Sequence, residues 1–106
     1  MILVNTESIP GKRIQALGLV KGHFVQSKNV GRDIMSGLKS LVGGELKAYS
    51  EMLQESRERA TAKMVAEAET LGADAIVNVR YMSSQVMTGA AEVMVYGTAV
   101  KVVGDE

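Results

Sequence analysis

The sequence predicts an α+β domain, with helices on one face of a mainly antiparallel sheet. Apolar runs rich in Val and Ile stand towards both ends of the chain, and apolar residues recur at helical spacing through its middle. The last two apolar runs are joined by "SSQVMTGA", where Gly89 supplies the flexible residue of a hairpin turn.

Each element follows from its own pattern. "MILVN" reads as a short strand, ended by the polar turn before Pro10. Arg13 to Gln26 reads as a strand or hairpin bent at Gly18 or Gly22. Ile34, Met35, Leu38, Leu41 and Val42 then make a short amphipathic helix that the Gly43–Gly44 pair terminates. A longer helix follows at once. At 100° per residue, Leu46, Tyr49, Leu53, Ala60, Met64, Ala68 and Leu71 form the stripe expected to lie on the sheet, and Arg57 falls within it. Ala48, Met52, Ala62 and Ala66 form a flatter strip, suited to a neighbouring element or a partner. Gly72 is placed to stop the helix in a left-handed conformation. In "AIVNVRYM", alternation puts Ala75, Val77, Val79 and Tyr81 on one face and Ile76, Asn78, Arg80 and Met82 on the other. The last strand has Val93, Val95 and Ala99 opposite Met94, Tyr96, Val100 and Val102, so both of its faces need cover.

The chain has 106 residues, a single-domain length, and no linker or repeat divides residues 1–106. A chain of this size buries roughly two-thirds of its unfolded surface. Its apolar fraction of 46% includes one Phe, three Tyr and no Trp, so the core is built of small pieces and self-association is expected. Twelve basic and twelve acidic residues balance, so no net field favours nucleic acid. With no Cys, thiolate metal sites and disulfides are excluded. The start lacks a basic region followed by a long apolar run, and no segment is apolar enough to insert in a membrane, so a cytoplasmic protein is expected.

The runs "VGGELKAYSEMLQESRERATAKMVAEAETLGADAIVNVRY" and "VYGTAVKV", with "NVGRDIMSGLKSLVGGE" before them, resemble the YbjQ-like family, also called UPF0145, over nearly the full chain. The resemblance implies a dodecin-like subunit assembled as a ring-shaped homopentamer. It implies little about activity, because the family's label names heavy-metal binding and no reaction.

The candidate ligands give that label little to work with. His23 is the one imidazole, and no His or carboxylate pair has the i, i+3 or i+4 spacing of a metal site. A divalent ion could be held only if a ring brought His23 of several chains together with acidic neighbours. Met35, Met52, Met64 and Met94 occupy apolar positions and read as gap-fillers, whereas Met82 and Met87 have no such assignment. Gly43 and Gly44 read as a helix-to-helix turn; they lack the spacing of a phosphate loop. No nucleophile stands beside a base, so an enzyme is the less favoured class.

Arg57, Asp33, Tyr49 and Met52, with Gly43 and Gly44, are the expected structural and interface residues. Arg57 on an apolar stripe either lays its stem along the surface or makes a bidentate pair when covered on assembly. Glu67 is about 15 Å along the helix axis and cannot be the partner, which leaves Asp33, then Glu7. The function expected is a homo-oligomeric binding module for a metal ion or small molecule at subunit junctions, or alternatively a structural or protein-interaction ring.

Overall fold

Three long strands and one long helix make up most of the chain in a computed structural model. It describes residues 1–26, 44–87 and 90–106, with the backbone alone for 44–49, 85–87, 90 and 91. The elements are β1 (Ile2–Leu3), β2 (Lys12–Val25), α1 (Gly44–Thr70), β3 (Ala75–Met87) and β4 (Ala90–Asp105). The short helix expected over 34–42, Asp33, Gly43 and the turn glycine Gly89 lie outside the described residues.

The sheet runs β1-β3-β4-β2. Its three long strands are antiparallel neighbours, but β1 lies parallel to β3, so the sheet is mixed. Backbone bonds hold that parallel piece in place, Val4 N–H to the Ile76 carbonyl at 3.0 Å and Val79 N–H to the Val4 carbonyl at 3.0 Å. The run from Lys12 to Val25 is one strand, not a hairpin, and an extra residue at Leu17 bends it beside Gly18, whose φ is 151°.

Helix α1 packs chiefly over β2 and β4. Its buried line is Ser56, Ala60, Met64 and Ala68, which meets Val20, Ile76, Val79, Val93, Val95 and Ala99 of the sheet. The helix is therefore rotated slightly from the predicted stripe. Ser56 takes the central place and Arg57 stands exposed at the side. The small Ser56 hydroxyl is tolerated there because it lies 3.0 Å from the Met52 carbonyl oxygen and 3.2 Å from the Gln26 amide oxygen. Gly22 marks the closest approach of sheet and helix. A Cβ at that position would overlap the Ala60 carbonyl oxygen and lie 2.6 Å from the Met64 nitrogen.

Leu71, expected in the core stripe, is 45% exposed because the helix has already ended. The Gly72 N–H bonds the Glu69 carbonyl and the Ala73 N–H bonds the Ala68 carbonyl, with Gly72 at φ 74°, which is a Schellman termination. Asp74 then ties the turn to β4. Its carboxylate accepts the Val102 N–H at 2.8 Å and an ion pair from Lys101 at 3.4 Å.

Among the described residues, the opposite face of the sheet is covered over one half only. Ala75, Val77 and Val100 are buried there under Val4, Ile9 and Ile14.

Candidate functional site

An irregularity in β3 builds the cleft beside α1. Val77 pairs with Thr98 and Arg80 with Tyr96, so β3 carries one residue more than β4 between these points. Asn78 absorbs it at φ 54°, a left-handed conformation that Asn adopts more readily than most residues. Strict alternation, predicted through this strand, is therefore broken: Val79 joins Ile76 on the helix side, while Ala75 and Val77 belong to the other face. Beyond the bulge Tyr81 stands towards the helix. Its hydroxyl lies 2.9 Å from Thr61 Oγ1, which itself donates to the Arg57 carbonyl at 2.7 Å, leaving Tyr81 as the donor in the first bond.

Arg57 and Tyr81 line two adjoining concavities. The larger, about 590 Å³, is also walled by Gln54, Glu58, Thr61 and Ala62. The smaller, about 180 Å³, reaches Leu53, Val93 and the strand edge at Met82 and Ser83. The rim of this apolar hollow carries one cationic group, Arg57, and one anionic group, Glu58, whose carboxylate accepts the Gln54 amide at 3.3 Å. On the other flank of the helix, Arg59 stands 5.3 Å and Lys63 5.7 Å from the centroid of the Phe24 ring, while Arg59 also pairs with Glu55 at 2.9 Å. These cations cover the edge of the core.

Strand register also brings His23 into company on the far face of the sheet. His23 is paired with Met94, and Met94 with Met82, so the three stand in one row across β2, β4 and β3. Met94 alternates with Val93 and Val95, which are buried under the helix, and so belongs to the opposite face. Around the row, Leu19 is 66% exposed, Met82 51% and Val25 46%. Sequence spacing could not reveal this set, because its members are 12 and 71 residues apart and only the pairing joins them.

The other predicted positions are spread out. Arg57 lines the cleft; Met52 is half-buried on α1; Gly44 is the first helical residue; Tyr49 lies in α1 with only its backbone described. Asp33 and Gly43 lie outside the described residues. Among the described residues the ion pairs are Lys12–Asp105, Arg59–Glu55 and Lys101–Asp74, so neither Arg57 nor Glu7 takes part in one. Among the same residues, no three His, Asp or Glu side chains gather where they could hold a metal ion. No described helix is long and apolar enough to cross a membrane.

One long helix laid over a mixed four-stranded sheet defines a small α+β domain, and a solved structure shares it. The crystal structure of a DUF74-family protein of unknown function from Pediococcus pentosaceus superposes with a TM-score of 0.67 at 16% identity, covering 96% of this chain and 97% of that one. At that identity the likeness concerns the fold. The chain belongs to the UPF0145 family: the family model YbjQ, described as "Putative heavy-metal-binding", matches residues 1–103. A UPF0145 protein of Clostridium novyi is 67% identical over 102 residues, covering 96% of this chain and 99% of the relative. One from Alkaliphilus metalliredigens is 63% identical over 103 residues, covering 97% and 100%, and one from Methanosarcina acetivorans is 57% identical over 103 residues, covering 96% and 97%.

Proposed function

We propose that the protein is a homo-oligomeric binding module, a ring pentamer of dodecin-like subunits that holds a metal ion or a small molecule where subunits meet. The position of the 590 Å³ cleft carries this reading. The cleft meets β3 at Tyr81, and the smaller hollow adjoining it continues along Met82 and Ser83, where β3 is paired with β4 alone among the described strands. An unpaired strand edge is a template for another chain, and a copy docked there adds the wall that the cleft lacks. Arg57 and Tyr81 would then face a junction instead of solvent. The family's heavy-metal description supports the metal half of the reading.

Native mass spectrometry of the protein purified from its host tests both halves at once. The expected result is a pentamer carrying non-protein mass. A monomer at micromolar concentration overturns the proposal. The exposed apolar residues Leu19 and Val25 favour a second reading, a structural or protein-interaction ring, which predicts an assembly of protein mass alone.

A further inference from the structure

We propose that His23, Met94 and Met82 form a binding site for a soft monovalent metal ion, copper(I) or its analogue silver(I). This deepens the metal half of the proposed function and rests on that half, but it draws all its ligands from one chain and so needs no second copy.

The geometry is that of adjacent cross-strand pairs. Residues directly opposite in an antiparallel pair have Cβ atoms about 4.5–5.5 Å apart, so Met94 stands within side-chain reach of both His23 and Met82. The outer two are separated by roughly two strand spacings, near 10 Å, which a histidine and a methionine can close by leaning over the middle residue. His23 and Met82 are both exposed, so an ion can approach from solvent.

Donor chemistry decides the metal. Thioether sulfur is a neutral, soft ligand that favours copper(I), and imidazole also suits copper, whereas two thioethers offer little to zinc, magnesium or calcium. The charge around the row agrees with a low-valent ion. All three ligands are uncharged when bound, and the next row on this face places Lys21 and Arg80 either side of Tyr96. Arg80 is drawn aside, donating to the Asn5 carbonyl at 2.9 Å. On the other side Glu92 supplies one carboxylate, opposite Ser84 and Val25. One positive charge is easier to accommodate here than two. The divalent ion considered from sequence alone, bound by His23 with acidic neighbours, fits this face less well.

The test is anaerobic copper(I) competition against a chromogenic chelator, using wild type, His23→Ala, Met82→Leu, Met94→Leu and the core control Met64→Leu. Leucine conserves volume closely enough to keep the strands packed. The expected result is one copper(I) per chain, with affinity lowered on the order of tenfold or more by each of the three site changes and unaltered in the control. Silver(I) added to methyl-labelled protein should shift the methyl resonances of Met82 and Met94 and leave that of Met64 in place. If wild type binds copper(I) and the three variants bind it equally well, the site is wrong while the metal reading survives. If folded wild type binds neither copper(I) nor silver(I), the site is overturned; parallel zinc(II) and cobalt(II) titrations then show whether any metal reading stands.

Discussion

Gly22 and Asn78 are single residues on which neighbouring elements depend. An alanine at Gly22 has no space, because its Cβ would strike helix backbone and not a movable side-chain tip. Gly22→Ala should therefore push α1 off β2 and lower stability by about 1–3 kcal/mol, the usual cost of forcing atoms into a packed core. Thermal melting measures it, and an unchanged melting temperature would show that the helix can shift freely. At Asn78 the demand is on the backbone. Asn78→Gly relieves the strain of φ 54° and should be near neutral, whereas Asn78→Val forces a β-branched residue into that conformation and should destabilise by about 1–2 kcal/mol. A chemical-denaturation midpoint that ranks the two the other way would refute this account of the bulge.

Among the elements, the turn from α1 into β3 has an electrostatic fastening as well as its glycine cap. The Val102 N–H first, and Lys101 second, hold the Asp74 carboxyl below its ordinary value of 3.8. A folded-state pKa below the unfolded one means that the charged form stabilises the fold above about pH 3.8, and that this contribution is lost as pH falls through the lowered value. Asp74→Asn should therefore melt earlier than wild type at neutral pH, with the gap closing as acid is added below that range. A gap independent of pH would assign the effect to shape alone. The sequence made the helix end legible here, since Gly72 followed by Ala73 and Asp74 is a local signal. The long helix, β1, β3 and β4 were likewise legible from apolar spacing. The face exchange in β3 was not, because a bulge depends on the partner strand's register and Asn78 looks like any other alternating residue. The orientation of α1 was missed for a related reason: a wheel centred on bulky residues could not anticipate that Ser56, bonded to Gln26, would occupy the middle of the contact.

For the whole molecule, Arg57 distinguishes a lone chain from an assembly. In the chain itself Arg57 is exposed, so Arg57→Met should leave a monomer's stability within about 0.5 kcal/mol of wild type. If the proposed junction covers the guanidinium and pairs it, the same substitution strands a carboxylate and weakens the assembly by about 3–5 kcal/mol, with Arg57→Lys only partly restoring it. Size-exclusion and melting of both variants decide it: unchanged elution and melting in both would remove Arg57 from the junction. Sequence placed Arg57 and His23 among the candidates but supplied neither Tyr81 nor Met94 as their neighbours, because strand pairing assembles both sites. That pairing passes through the bulge, and the bulge has a genetic corollary. Asn78 is the one residue of β3 in excess of β4 here, so deleting its codon would leave a regular ladder, with Val77 still opposite Thr98 and Arg80 still opposite Tyr96. Tyr81 would stay on the side of Thr61 and Met82 in the row with Met94, and what the strand would lose is its bend. Point substitutions can alter the cleft and the histidine–methionine row one at a time; one codon inserted between Arg80 and Tyr81, with the bulge kept, would turn Tyr81 and Met82 to exchanged faces and disable both together.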